Sequence, residues 1–374
     1  MAALNLSLTV LDWAAKEAGR DRQSLAEEIA KRDDDRRRIL QGELTIRQAE
    51  KVAKLARIPF GFLFLQVPPE PSRPSIPDLR RVTDAAPLSD DFFEVLADAT
   101  SKQEWFIDHL REGGADSLPF VGRFRFASRP KVAVVAEDIR RTLGVTVADR
   151  TSSQDADAYF RKLSDRAEDQ GILVMKSGIV RAFTRRRLSE GEFRGFAVAH
   201  PMAPIVFING QDAVVASVFT LMHEIAHIWL GESGVSDLSP TTDRGIEIFC
   251  NAVSAEVLVP NHEFLAQWTN TPNVEALARL FRVSRAVIAR RAFDNGLISW
   301  PEFELYLRPL PRKPREPGGD PFRTIPVRNS KRLTRAVVGS ALSGETLLRE
   351  AASLLNSKPD TVIKLGNRVF GREA

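Results

Sequence analysis

Two of the chain's five histidines, His223 and His227, stand four residues apart with Glu224 between them, inside the otherwise apolar FTLMHEIAHIWLGESG. On a helix, residues i and i+4 share one face, with Cβ atoms roughly 5–6 Å apart. Two imidazole nitrogens so placed can share one metal ion at the Zn–N distance of about 2.0–2.1 Å. Glu224 points about 100° round the helix, off the ligand face. There it can take a proton from a water whose pKa zinc has lowered. A chance H-E-x-x-H in a chain this poor in histidine has a probability on the order of a few per thousand. Zn2+ is therefore the expected cofactor.

Two histidines hold zinc weakly, so a third donor is needed. The downstream candidates are Glu232, Asp237, Asp243, Glu247, Cys250 and Glu256. Glu232 and Asp237 follow the first helix too closely to double back easily. Glu247 opens a second apolar helix, GIEIFCNAVSAEVLV, closed by Pro260, and Ile246, Phe249 and Val253 can hold its first turn against the HEIAH helix. Glu247 is favoured, while Cys250 and the other acids stay open. Glu256, half a rotation away, reads as a structural or supporting partner. Of the remaining histidines, His109 falls on an amphipathic helix and His200 precedes Pro201 in a turn. His262, in PNHEF, is a candidate transition-state stabiliser or a helix-capping residue.

These side chains need elements to position them. Upstream run three strand-like segments, GILVMKSGIV, EFRGFAVAH and APIVFING, rich in β-branched and aromatic residues. APIVFING directly precedes the HEIAH helix and is expected to be an edge on which an extended substrate aligns through main-chain hydrogen bonds. Helical patterns flank this core: FFEVLADATSKQEWFIDHL, KVAVVAEDIRRTLG and DADAYFRKLSDRAEDQ before it, VEALARLF and RAVIARRAFDNG after it.

Two proline-rich stretches punctuate the chain. QVPPEPSRPSIPDLRR carries five prolines between Pro68 and Pro77, and RPLPRKPREPGGDPFRTIP covers 308–326; both read as extended linkers. The implied domains are 1–66, a linker over 67–89, a central domain over 90–307, a second linker over 308–326, and a helical tail over 327–374. Before the first linker, VLDWAAKEA, QSLAEEIA, DDRRRIL and IRQAEKVAKLA read as short helices separated by turns, with QGELT among the turns.

The 374 residues carry a formal net charge of +4, too small by itself to announce nucleic acid. From Arg308 to Ala374, however, 14 Lys/Arg face 6 Asp/Glu, so the tail holds more positive charge than the whole chain. That suits phosphate or an acidic partner. One cysteine rules out an intramolecular disulfide framework and fits a reducing compartment. No apolar run approaches the roughly 20 residues of a membrane span. MAALNLSLTVLDW lacks a basic start and is interrupted by Asp12, so a cytoplasmic protein without membrane association is expected.

HEIAHIWLGESGVS followed by IEIFCNAVSAEVLVP resembles the ImmA/IrrE family of zinc metallopeptidases. Glu247, Cys250, Asn251, Ser254, Ala255, Glu256, Leu258 and Pro260 occupy the places of that family's second motif. The resemblance implies a gluzincin-like site with His223, His227 and Glu247 as ligands and Glu224 as general base and acid. It also implies a protein substrate, either a DNA-binding regulator or a toxin–antitoxin partner. LAEEIAKRDDDRRRILQGELTIRQAEKVAKLARIPFGFLFL resembles the XRE-type helix-turn-helix family. That likeness would put Arg36, Arg37 and Arg38 against DNA, although Asp33, Asp34 and Asp35 make an acidic start for a reading helix. A fold kept for docking a protein is the alternative. The expected class is α+β and mostly helical: an N-terminal helix-turn-helix bundle, a zincin-like metallopeptidase domain with a small sheet, and a C-terminal helical tail. Against the enzyme stands a second reading, a DNA-binding regulator or antitoxin whose zincin domain is structural or inactive.

Overall fold

The computed structural model describes residues 3–56, 58–69, 88–236, 245–308 and 319–371. They are mostly helical with two small sheets, an α+β fold. The chain divides into two compact units, Met1–Arg73 and Pro74–Ala374.

In the first unit, β1 (Ala3–Asn5), α1 (Leu8–Glu17), α2 (Arg22–Ile29), α3 (Asp33–Leu40), β2 (Glu43–Thr45) and α4 (Ile46–Ala56) are closed by a 3₁₀ turn over Phe60–Phe64. Local chemistry sets the helix starts. The Asp21 carboxylate accepts the Ser24 N–H at 2.7 Å, an N-cap of α2. Asp33, Asp34 and Asp35 fill the first turn of α3, where negative charge complements the helix dipole. The segment QGELT, expected as a turn, carries β2, which pairs antiparallel with β1 in the register Leu4↔Leu44. Leu11, Leu25, Ile39, Leu44, Val52 and Leu63 form the core.

The second unit begins with α5 (Asp90–Glu112), α6 (Val132–Leu143), α7 (Val147–Thr151) and α8 (Ala156–Asp169). β3 (Leu173–Ser177), β4 (Gly195–Val198), β5 (Ile205–Asn209), α9 (Val214–Leu230) and β6 (Gly234–Ser236) follow. Then come α10 (Gly245–Leu258), α11 (Asn261–Asn270), α12 (Val274–Phe281), α13 (Arg285–Asp294) and α14 (Trp300–Leu307). α15 (Pro321–Asn329), α16 (Lys331–Ser343), α17 (Leu348–Leu354) and α18 (Pro359–Val369) close the unit. Among the described residues no helix is long and apolar enough to cross a membrane.

The sheet runs β3-β5-β4-β6, with β3 parallel to β5 and the other neighbours antiparallel. Successive side chains of a strand point to opposite faces. Val174, Ala197, Val206 and Ile208 accordingly join a core with α6, α8, α9 and α10, while Leu173, Met175, Phe196, Ile205 and Phe207 join a second core with α5 and the C-terminal helices. A strand buried on both faces reads as an unbroken apolar run, as APIVFI does. β5 is therefore interior, and its expected place at the sheet edge is corrected: β3 flanks it on one side and β4 on the other.

The tail does not stand apart either. Residues 70–87 and 309–318 of the expected linkers lie outside the described residues, but α15 begins at Pro321, inside the expected 308–326 linker. Ile325, Leu333, Val337, Val338 and Leu365 pack in the second core with Phe207 and Phe196. Part of the tail's charge is engaged within the unit. Lys331 pairs with Asp165, and the Glu168 carboxylate accepts the backbone N–H groups of Lys331 at 2.9 Å and Arg332 at 3.1 Å. Burial pushes the Glu168 carboxyl up to about 7, against the pull of these donors and the Ser330 hydroxyl.

Candidate metal centre

α9 is apolar almost all round because it is a core helix, packed on β4 and β5 and between α8 and α10. Gly231 ends it in the left-handed conformation at φ 71°, and the Gly122 and Phe124 N–H groups donate to the Ile228 and Trp229 carbonyls at 3.0 and 3.1 Å. The two glycines lie so close that a Cβ on Gly231 would meet the Gly122 Cα at 3.0 Å. Phe120 stacks on Trp229 with ring centroids 4.5 Å apart, and the Trp229 indole N–H donates to Asp138 at 2.9 Å. The last turns of the helix are thereby fixed.

On this rigid element His223 and His227 turn toward the first turn of α10, where Glu247 sits. His223 Nε2 lies 3.1 Å from His227 Nε2 and 3.1 Å from Glu247 Oε2, and His227 Nε2 lies 3.0 Å from Glu247 Oε1. A tetrahedral ion with bonds of about 2.0–2.1 Å sets its ligand atoms about 3.3–3.4 Å apart. The observed gaps come within a few tenths of an ångström of that spacing.

The electrostatics fit a cation as well. Burial drives His227 toward its neutral form. Burial also opposes charge on Glu247, but its hydrogen bond with His223 and the His227 imidazole beside it outweigh this and hold its carboxyl down at about 2. A neutral imidazole and a carboxylate are the forms that ligate metal. Although close to His227, Glu247 Oε1 is buried without a well-directed hydrogen bond, and so are both histidine Nδ1 atoms. The three residues thus match a divalent ion in donor type, spacing and unmet polarity. What is lacking, among the described residues, is the outer acceptor that ordinarily orients a ligating imidazole through Nδ1.

Glu224 leaves the ligand face, as its helix position requires, and presses against β4. A Cβ on Gly195 would come within 2.7 Å of Glu224 Oε1, 2.9 Å of the Phe207 carbonyl oxygen and 2.9 Å of Thr220 Cγ2. Gly195, where the lack of a side chain lets Glu224 lie against β4, is a residue that sequence reasoning did not single out. A glycine inside a strand pattern signals close approach of another group, but does not say which.

Other residues fall elsewhere. Glu232 is exposed, and Asp237 and Asp243 lie outside the described residues. Cys250 is fully buried, and burial, reinforced by nearby acids, pushes its thiol well up, so it stays protonated. Glu256 pairs with Arg291 at 2.9 Å and accepts the Asn261 N–H at 3.2 Å, tying α10 to α13 and α11. The His200 Nδ1 accepts the Met202 and Ala203 N–H groups, a turn role. His109 stacks on Trp105. His262 is exposed on the first turn of α11 and is not among the gathered residues. In the first unit Arg36 pairs with Asp33 and Arg37 with Asp34, both at 3.1 Å, and Arg38 with Glu43 at 3.2 Å.

No curated protein and no solved structure matches the chain. Residues 329–368, spanning α16 to α18, match a domain of unknown function (DUF8813). Residues 167–293, from the end of α8 to α13 and so including the whole gathered site, are similar to the IrrE N-terminal-like domain of the peptidase M78 family.

Proposed function

We propose that the chain is a zinc-dependent metalloendopeptidase that cleaves a specific regulatory protein in the cytoplasm, a repressor or toxin–antitoxin type partner. The carrying observation is the convergence of His223 and His227 from α9 with Glu247 from α10, whose ligand atoms all lie within 4.8 Å of one another, with Glu224 next to His223 in α9. Zinc held by these three would supply Lewis acidity toward a scissile carbonyl and its attacking water. Glu224 takes the proton of that water on its carboxylate and delivers it to the leaving amine. A structural metal site has no use for such a carboxylate. The likeness of residues 167–293 to a peptidase domain supports the same reading. In the test, Glu224→Gln retains zinc by metal analysis but no longer cleaves the product of the adjacent gene. Undiminished cleavage by that variant refutes the role of Glu224.

A second reading, a DNA-binding regulator or antitoxin with a structural metal, is favoured by the exposed arginines of α3, where Arg37 and Arg38 side chains are 75% and 57% accessible. Their acidic partners weaken its electrostatic case. Gel-shift binding to the chain's own promoter that survives Glu224→Gln supports it, and the two roles are compatible.

A further inference from the structure

His223, Glu224 and His227 are fully buried and Glu247 is 2% exposed. A peptide can reach them only if something moves. The strand beside Glu224 is β4, through Gly195, and a substrate aligned there would pair with the outer edge of β4. That edge is already taken. β6 runs antiparallel along it in the register Gly195↔Ser236, Phe196↔Val235, Ala197↔Gly234. The same main-chain groups of β4 cannot serve both strands.

β6 is also the weakest of the sheet's attachments. Among the described residues it has three, its glycine contributes no side chain, and Val235 is fully buried on the Phe196 side. We infer that β6 is an internal stand-in for the substrate. An extended substrate segment displaces it from β4 and places an apolar residue opposite Phe196, where Val235 now sits. The inference rests on the peptidase reading for what does the displacing, but not for the displacement itself. It adds a specificity rule, an apolar residue at that one register position, and a reason for the closed site.

Native-state hydrogen exchange tests the displacement without metal or substrate. The amides joining β4 to β6 should exchange through local opening at least a hundredfold faster than those joining β3 to β5. Equal protection of the two ladders makes β6 a fixed element and overturns the proposal, whether or not the metal site is active. A second measurement uses cobalt-loaded protein and two probes, acetohydroxamate and a hydroxamate carried on an extended apolar peptide. Val235→Gly should tighten the peptidyl probe at least tenfold. A cross-strand disulfide in Ala197→Cys/Gly234→Cys should weaken it at least tenfold, reversibly on reduction, and acetohydroxamate should respond to neither change. Peptidyl binding indifferent to the disulfide places the substrate elsewhere and overturns the inference. Loosened exchange at β6 with no hydroxamate bound would instead sink the peptidase reading and leave β6 a displaceable strand.

Discussion

Replacing Gly195 with alanine puts one methyl group where β4, β5 and α9 meet. Its carbon would start 2.7 Å from Glu224 Oε1, 2.9 Å from the Phe207 carbonyl oxygen and 2.9 Å from Thr220 Cγ2. Ordinary contact for such atoms begins at about 3.4 Å or more, so the neighbours must yield by roughly half an ångström or more. Phe207 cannot, because its backbone is held between β3 and β4. The Glu224 carboxylate therefore has to turn away. Overpacking of this kind costs about 1–3 kcal/mol, a fall in Tm of a few degrees for a unit this large. Displacing a catalytic group by about 1 Å can cost on the order of a hundredfold in rate. The expected variant folds, takes up zinc in full, unfolds a few degrees lower and cleaves its substrate roughly a hundredfold more slowly. Calorimetry, metal analysis and single-turnover cleavage read the three quantities separately. Activity within twofold of the parent, with the same Tm, would show that Gly195 does not constrain Glu224.

Zinc should raise Tm, since an ion at a hundred times its Kd stabilises the native state by about 2.7 kcal/mol; His227→Ala or Glu247→Gln should abolish that rise in calorimetry, and a persistent rise places the metal elsewhere. Glu168 holds a proton in the native state up to a pH of about 7 that the unfolded chain releases near 4.5. Its contribution is therefore complete below 4.5 and is lost as pH rises through 7, by at most roughly 3 kcal/mol. Urea titrations at pH 5 and pH 8 should show this loss in the parent and not in Glu168→Gln; equal slopes in both contradict it. Trp229→Phe removes the hydrogen bond to the buried Asp138 carboxylate and should cost about 1.5–3 kcal/mol in urea unfolding, whereas a loss below 0.5 kcal/mol, by the same estimate, would mean water replaces the indole. If the first unit binds DNA through α3, changing Arg36, Arg37 and Arg38 to alanine should lower affinity and flatten the salt dependence. An unchanged salt slope removes those residues from the interface.

The sequence alone determined whatever depends on neighbours within one element. The four-residue spacing of His223 and His227 puts two imidazoles on one helix face, and the same geometry sends Glu224 off that face. Runs rich in β-branched and aromatic residues marked all three longer strands, and the patterned second helix favoured Glu247 because Ile246, Phe249 and Val253 can hold its first turn against the HEIAH helix. Tertiary structure decided what depends on pairing between distant segments. The unbroken apolar run APIVFI suits an interior strand without requiring one, because an edge strand can be apolar too; only the arrival of β3 on one side and β4 on the other settled it. The three-residue β6 is too short to carry a period. Gly195 could be read as a close approach, but its neighbour Glu224 lies 29 residues on and becomes adjacent only when α9 packs on the sheet. The C-terminal helices looked like a charged appendage because charge is visible in composition, whereas their apolar faces have meaning only against the second face of the sheet, which local periodicity does not name.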